Sequence, residues 1–327
     1  MRPRLLVTGA AGFVGTAMCD LAVSRAFAVN GALRKTAAVP NGIDPFVVGE
    51  INGATDWASA MRDVNVVVHL AARVHIMRDT AANPLSAFRC VNVEGTLNLA
   101  RQAATAGVRR FVFVSSVKVN GEFTLPGRLF SETDTPSPQD AYGLSKHEAE
   151  LALREFAVDT GMEVVIIRPP LVYGPGVKAN FDALMRAVQS GYPLPLGAIH
   201  NQRSFVALEN LVDFITTCVT HPQAANQTFL ISDGHDLSTT ELVRRMARAA
   251  EVSLRLLPVP GLALQAVAHL LGRGNAVRRL CGNLQLDISK ARDVLGWVPP
   301  VSVDEGLRLA MGVGLPRVAE IVGIEGK

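Results

Sequence analysis

Hydrophobic runs of strand length recur through the first half of the chain and alternate with longer helical stretches. The runs predict six strands, at residues 5–8, 28–33, 46–48, 64–70, 111–115 and 164–168. Each run is nearly continuously apolar, which is typical of strands covered on both faces. The stretches between them favour helices at residues 12–25, 85–106 and 142–160. This alternation predicts an α/β fold with a doubly wound parallel sheet.

The composition of the chain changes after about Pro169, where proline and glycine become frequent and the predicted elements become shorter. This favours a smaller lobe over the carboxyl ends of the strands, where ligands bind in open α/β sheets. We predict a first domain over residues 1–168, with a returning segment at about 203–232, and a second lobe over 169–202 and 233–327. A length of 327 residues agrees with roughly two domains.

Composition excludes several classes of protein. Hydrophobic residues make up 49% and charged residues 19%, which excludes a disordered or coiled-coil chain. The net charge is +3 without a basic run, so we expect no nucleic-acid partner. The four cysteines lie far apart and indicate neither a disulfide framework nor a metal site.

Mean hydropathy is high at +0.25, but no membrane span is expected. The most apolar stretch, residues 256–271, contains Pro258 and Pro260 and favours a buried amphipathic helix, with a membrane-adjacent helix as the alternative. The first apolar run is typical of a strand rather than a signal peptide, so we expect a cytoplasmic protein.

Three glycines, Gly9, Gly12 and Gly15, follow the first predicted strand at the point where a helix opens. Glycine lets the backbone turn tightly and approach a pyrophosphate, while the free amides of the helix stabilise the anion. The pattern predicts a dinucleotide site that includes Ala11, Phe13 and Val14; an ordinary glycine-rich turn is the alternative.

The end of the second predicted strand bears on which dinucleotide binds. It reads Asn30-Gly-Ala-Leu-Arg34-Lys35, without the carboxylate that binds the ribose of NAD. Arginine accommodates a 2′-phosphate, so NADP(H) is favoured and NAD(H) remains open, as does the alternative that both residues are solvated cations. Further cofactor contacts are predicted after the third and fourth strands, at Glu50, Ile51, Leu70, Ala71 and Ala72. His69 is expected to be a packed core residue.

Tyr142 and Lys146 are four residues apart on a predicted helix and therefore share a face. We expect the ammonium of Lys146, aided by a positively charged nicotinamide, to lower the phenol pKa of Tyr142, so that the phenol can exchange a proton while a hydride moves. Ser116, at the end of the fifth predicted strand, could share the hydrogen bond to the reacting oxygen.

Eight motifs in order make the chain resemble an extended short-chain dehydrogenase/reductase of the NAD-dependent epimerase/dehydratase family, which acts on nucleotide sugars. They are Gly9-x-x-Gly12-x-x-Gly15, His69-Leu-Ala-Ala, Asn92-Val-Glu-Gly95-Thr96-x-Asn98-Leu, Ser115-Ser116, Tyr142-x-x-x-Lys146, Arg168-Pro-Pro-x-Val-Tyr173-Gly-Pro, Arg203-Ser-Phe-Val and Asp287-x-Ser-Lys290-Ala-x-x-x-Leu-Gly296-Trp. The resemblance covers nearly the whole chain.

The resemblance implies roles for individual residues. Ser116, Tyr142 and Lys146 would be catalytic. Asn92, Ser115, Pro169 and Val172 would lie at the cofactor, together with Tyr142 and Lys146. The substrate contacts would be Arg73, Ser116, Lys118, Tyr142, Asn180, Arg203 and Arg279. Arg203 would hold the diphosphate of a UDP-sugar, which suits the planar fork of a guanidinium, and Arg279 is a weaker candidate.

Three departures from the family pattern are present, and the first bears on the reaction. Family dehydratases carry an acid and a base directly after the strand-end hydroxyl, where this chain has Val117 and Lys118, so dehydration is disfavoured. Asn120 stands where many relatives have tyrosine, and Glu50 where aspartate is usual.

Reduction and epimerisation remain. Arg34 and Lys35 favour an NADPH-dependent 4-reductase, and later segments resemble bacterial enzymes of polysaccharide (O-antigen) biosynthesis that reduce UDP-2-acetamido-2,6-dideoxy-hexos-4-ulose. A UDP-glucose or UDP-N-acetylglucosamine 4-epimerase is the alternative, and a non-catalytic NADP-binding sensor is a remote one. A homodimer is expected through helices 85–106 and 142–160; the alternative is that each monomer covers these faces itself.

Overall fold

The computed structural model describes residues 3–74, 83–261, 263–264, 269 and 274–312. Its strands are β1 (Arg4–Thr8), β2 (Ala28–Leu33), β3 (Ile43–Val47), β4 (Val66–His69), β5 (Arg110–Val114), β6 (Glu163–Arg168), β7 (Leu171–Tyr173), β8 (Phe205–Ala207) and β9 (Thr228–Leu230). Its helices are α1 (Phe13–Ser24), α2 (Pro84–Arg89), α3 (Thr96–Thr105), α4 (Ala141–Thr160), α5 (Ala179–Gln189), α6 (Leu208–Thr220), α7 (Thr239–Ala249), α8 (Gly274–Cys281), α9 (Ser289–Leu295) and α10 (Val303–Ala310).

A seven-stranded parallel sheet in the order β3-β2-β1-β4-β5-β6-β9 confirms the predicted doubly wound fold. The continuous apolar runs are explained by burial on both faces: Leu5, Leu6 and Val7 of β1 have no exposed surface. The strand order reverses between β1 and β4, which opens a crevice beyond their carboxyl ends. A separate two-stranded sheet pairs β7 with β8.

Most predicted elements differ from the structure by one or two residues at their ends, and two differ more. The predicted strand at 46–48 begins earlier, at Ile43, because an edge strand tolerates Pro45. The predicted helix at 85–106 is divided into α2 and α3 by a π-helical segment, Cys90–Gly95. Short π-helical segments are frequent at functional sites, and this one contains Asn92.

Apolar side chains form separate clusters on the two faces of the large sheet. One contains α1 and α6, and the other contains α3 and α4. A third cluster lies among α5, α7 and α10. From the late part of the chain, Leu295 and Trp297 pack into the cluster with α1 and α6. The division into two domains at residue 168 stays a prediction.

In the part of the chain that the structure describes, no helix has the length and apolarity needed to cross a bilayer. Residues 262, 265–268, 270 and 271 of the predicted amphipathic stretch lie outside that part.

Candidate active site

The predicted phosphate-binding glycines form a tight turn between β1 and α1. Gly9 has a φ of +69°, which favours glycine, and accepts a hydrogen bond from Gly12 N at 2.8 Å. A Cβ at Gly15 would lie 2.0 Å from the carbonyl oxygen of Gly9, and a Cβ at Gly9 would lie 3.3 Å from Ala71 Cα. The backbone can therefore form this turn only because Gly9 and Gly15 have no side chains.

This turn fits an anionic pyrophosphate. α1 begins directly after Gly12, and no described side chain caps its first turn. Its first amides are the donors that a phosphate needs, and the positive end of the helix dipole favours the anion. Residues 9–14 are thus suited to hold the diphosphate of a dinucleotide.

Arg34 and Glu50 meet at the ends of the neighbouring strands β2 and β3. Arg34 Nε lies 3.6 Å from Glu50 Oε1, and both side chains are about two-thirds or more exposed, at 68% and 74%. An exposed pair of this length contributes little to stability. Arg34 and the exposed Lys35 are therefore accessible to a ligand at this corner of the sheet.

His69, at the end of β4, is a packed core residue, as predicted. Its ring nitrogens lie 2.8 Å from Thr8 Oγ1 and 3.0 Å from Thr96 Oγ1. Burial lowers the His69 pKa to about 3, and the charge of Lys146 acts in the same direction. The Thr8 hydroxyl also accepts hydrogen bonds from the amides of Leu70 and Ala71, both at 3.1 Å, and so shapes this strand end.

Asn92 ties the segment after β4 to the helix that carries Tyr142. Its side chain accepts a hydrogen bond from Arg73 N at 2.8 Å and donates to Arg73 O at 3.0 Å. Its amide also donates to Ser145 Oγ at 3.0 Å. Asn92, on the π-helical segment, therefore links the backbone of Arg73 to Ser145 of α4.

Lys146 and Ser116, two of the predicted catalytic residues, lie at the carboxyl end of β5. Lys146 Nζ donates to Val114 O at 2.8 Å and lies 4.3 Å from the centre of the Phe113 ring. Ser116 caps the 3₁₀ turn Val117–Val119 and accepts a hydrogen bond from Lys118 N at 3.2 Å. Val117 N donates to Pro169 O at 3.0 Å, which fixes Pro169 beside this turn.

Burial dominates the titration of the two helical groups. It raises the pKa of the Tyr142 phenol, and the charge of Asp140 raises it further. It lowers the pKa of Lys146 to about 7, against the opposing effect of Glu150. In the protein by itself the Tyr142 pKa is therefore raised, and the lowering by Lys146 together with a positively charged nicotinamide stays a prediction.

Two arginines predicted to bind the diphosphate lie in one group of charged side chains. Arg279 Nη2 lies 3.3 Å from Glu122 Oε1, and Lys118 Nζ lies 3.1 Å from the same oxygen. Arg203 donates to Gly282 O at 3.1 Å. Burial lowers the pKa of Arg203 to about 10; the charge of Arg279 acts in the same direction and that of Glu122 opposes it.

Asn180 and Val172 are among the predicted site residues that stand outside these contacts. Asn180 is exposed at the start of α5, and Val172 is half-buried on β7. In the described residues, no group of three or more His, Cys, Asp or Glu side chains is arranged to hold a metal ion.

A buried ion pair that the sequence did not reveal supports the site. Arg168 Nη2 lies 2.5 Å from Glu150 Oε2, with side chains 3% and 1% exposed. Glu150 also accepts a hydrogen bond from Ser115 Oγ at 2.5 Å, and Arg168 donates to Asn120 Oδ1 at 3.0 Å. Asn120, which departs from the family pattern, is thus a partner of the arginine behind the site.

Comparison with known proteins identifies the family. The model of the NAD dependent epimerase/dehydratase family matches residues 5–232. The chain belongs to this family. It is an NAD(P)-dependent enzyme of the short-chain dehydrogenase/reductase type.

Individual family members extend the likeness over nearly the whole chain. A Vibrio cholerae protein described as UDP-glucose 4-epimerase is 50% identical over 310 residues, 94% of each chain. The Thermus thermophilus UDP-glucose 4-epimerase in complex with NAD superposes with a TM-score of 0.75 at 23% identity, covering 94% of this chain and 98% of that one. RMD from Pseudomonas aeruginosa, in complex with NADPH, gives 0.70 at 21%, covering 94% and 98%. These two structures are similar in fold.

Proposed function

We propose that the protein is a UDP-sugar oxidoreductase that acts at carbon 4, and that its reaction is 4-epimerisation. The 50% identity to the Vibrio cholerae UDP-glucose 4-epimerase over 94% of both chains carries the choice of reaction. This departs from the reductase that the sequence motifs favoured.

The strand ends and the glycine turn would hold a nicotinamide dinucleotide, which supplies the hydride acceptor and donor when bound. Tyr142 would take the proton of the carbon 4 hydroxyl as the carbon 4 hydrogen leaves as a hydride. After the keto sugar has turned its other face to the hydride, Tyr142 would return the proton to the same oxygen. No atoms are gained or lost in the cycle.

Lys146 and Ser116 would serve this proton transfer. Lys146 is fixed on Val114 O, at the end of β5, and its positive charge would favour the phenolate form of Tyr142 when the site is closed. Ser116, on the adjoining turn, would donate a hydrogen bond to the reacting oxygen. Arg203 and Arg279 would bind the diphosphate, since paired guanidinium groups suit that anion.

Dehydration is not supported by the residues at the strand end. Val117 and Lys118 occupy the two positions at which a paired acid and base would be needed, and Lys118 is engaged by Glu122.

A 4-keto reductase is the second candidate, and Arg34 with Lys35 favours it. A reductase consumes NADPH at every turnover, whereas an epimerase regenerates its cofactor. Both guanidinium and ammonium are accessible where the 2′-phosphate of NADP would lie.

One experiment separates the candidates. The purified chain is incubated with UDP-glucose or UDP-N-acetylglucosamine and NAD⁺, and in parallel with NADPH and a UDP-4-keto-6-deoxy-N-acetylhexosamine. We expect a 4-epimer in the first reaction without net cofactor use. Loss of NADPH absorbance in the second reaction alone would replace the epimerase with the reductase.

The role of Tyr142 is tested with Tyr142→Phe. We expect turnover to fall by about 100-fold or more, because the proton acceptor is lost. Dinucleotide binding, followed by protein fluorescence, should stay within a fewfold of the unmodified chain. Unchanged turnover with intact binding would exclude Tyr142 as the acid and base.

A further inference from the structure

The 3₁₀ turn after β5 packs closely against the first turn of α4. A Cβ at Gly143 would lie 2.9 Å from Lys118 O and 3.2 Å from Lys118 Cβ. Gly143 follows Tyr142 directly, so the missing side chain allows Lys118 to approach the part of the helix that carries the phenol.

Asp140 caps the same helix and uses both carboxylate oxygens. Oδ1 accepts a hydrogen bond from Gly143 N at 2.7 Å, which satisfies one of the free amides at the helix start. Oδ2 accepts a hydrogen bond from Lys118 Nζ. The carboxylate that caps the start of α4 is therefore hydrogen-bonded directly to the ammonium of Lys118, on the 3₁₀ turn.

A negative cap has opposite effects on the helix and on its tyrosine. It stabilises the helix end, where the dipole is positive. It opposes ionisation of the phenol two residues away: burial is the largest cause of the raised pKa of Tyr142, and the charge of Asp140 is the second. An enzyme that needs both the cap and a proton-exchanging tyrosine gains from a cation that balances the carboxylate.

We propose that Lys118 is a positioning residue for Tyr142, which holds Asp140 in its capping place and balances the charge of that carboxylate. This inference rests on the proposed acid-base function of Tyr142. It also gives a reason for a lysine at a position where family dehydratases carry a carboxylate.

Glu122 competes for the same ammonium. Lys118 Nζ lies 3.1 Å from Glu122 Oε1, and that oxygen also binds Arg279. Removal of the Glu122 charge would leave Lys118 paired with Asp140 alone. The pKa of Tyr142 should then fall, as it should when Asp140 is neutralised.

Other charged groups on the elements packed against this end of α4 have their own contacts. Arg89 of α2 pairs with Glu148 at 2.5 Å, Lys146 donates to Val114 O, and Glu150 pairs with Arg168. Arg73 lies over the Phe88 ring, and Glu94 of the π-helical segment lies beside Gly53. Lys118 is thus a cation in direct contact with the capping carboxylate.

The three tyrosines of the chain make the ionisation of Tyr142 measurable without any substrate. The full chain is labelled with 3,5-difluorotyrosine, whose phenol is a stronger acid, and the Tyr142 resonance is assigned by its loss in Tyr142→Phe. A fluorine-19 NMR titration then reports this phenol alone.

We expect Lys118→Met to lower the ionisation constant of the labelled Tyr142 by about tenfold, and Asp140→Asn to raise it by a similar factor. Asparagine keeps the cap. The double variant, with both charges removed, should titrate close to the unmodified chain. Lys118→Arg keeps the positive charge, so its Tyr142 titration should also be close to that of the unmodified chain. Arg248→Met removes an exposed cation on α7 and serves as the control.

An unchanged Tyr142 titration in Lys118→Met and Asp140→Asn would overturn the proposal. A rise in KM with an unchanged titration would also overturn it, because Lys118 would then be a substrate contact alone. If the titrations shift as expected while no UDP-sugar is turned over, the charge balance stands and the proposed function fails.

Discussion

Gly15 determines the geometry of the turn between β1 and α1. A Cβ at this position would lie 2.0 Å from the carbonyl oxygen of Gly9, far inside van der Waals contact, so α1 can begin this close to Gly9 only because the side chain is absent. The sequence predicts this turn from glycine spacing alone, because the constraint is steric and local.

We expect Gly15→Ala to reduce turnover by about 100-fold, because the helix start must shift away from the pyrophosphate position. Dinucleotide binding measured by calorimetry should weaken with it. Gly53→Ala is the matched control, since its Cβ would meet ordinary contacts at 3.7 Å and should leave both unchanged. Equal behaviour of the two variants would argue against a phosphate site in this turn.

Arg34, at the end of β2, is proposed to favour NADPH over NADH by binding the 2′-phosphate. Arg34→Ala should weaken NADPH binding by about 10- to 100-fold through loss of a charge-assisted hydrogen bond. NADH binding, which lacks the 2′-phosphate, should change little and is the internal control. A parallel loss for both would mean that Arg34 does not face the 2′-position.

At the scale of elements, the least predictable parts of the site are the contacts between segments far apart in sequence. The strands and α4 follow from hydrophobic runs and helix periodicity. Asp140 carries a local signal, since aspartate before a helix favours an N-cap. Glu122 carries none, because its pairing with Arg279 spans 157 positions. The π-helical segment was also missed, since its residues do not differ in pattern from an α-helix.

The buried ion pair between Glu150 of α4 and Arg168 of β6 offers the strongest test of this packing. Glu150→Gln leaves Arg168 without its counter-charge and should lower the free energy of unfolding by about 3–5 kcal/mol. Glu148→Gln on the same helix removes the half-exposed pair with Arg89 and should lower the free energy of unfolding far less. Urea unfolding measures both; equal losses would contradict the assigned burial of Glu150.

At the scale of the molecule, Glu209 is a buried carboxyl whose protonation couples the stability of the fold to pH. It lies in the first turn of α6, is 1% exposed, and has no hydrogen-bond partner for its carboxylate oxygens among the described residues beyond its own amide. Burial raises its pKa to about 7, and Asp233 acts in the same direction. Its charged form is therefore disfavoured in the fold.

This carboxyl should make stability fall as the pH rises. Between pH 4.5, the ordinary value, and about 7 the native state holds a proton that the unfolded state has lost. The free energy of unfolding should decrease by up to about 3 kcal/mol across that interval and stay level above it. Glu209→Gln should flatten this part of the curve in urea unfolding from pH 4.5 to 8; an identical slope in both chains would contradict the assignment.

Asp213 binds partners from opposite ends of the sequence, and this constrains the order in which the chain can fold. It pairs with Arg25 at 2.5 Å and accepts a hydrogen bond from Trp297 Nε1 at 2.8 Å. During synthesis the apolar face of α1 stays uncovered until α6 and then residue 297 leave the ribosome. Such a nascent chain presents an incomplete core for most of its translation, which makes chaperone binding and slow, late closure of the native state the expected course.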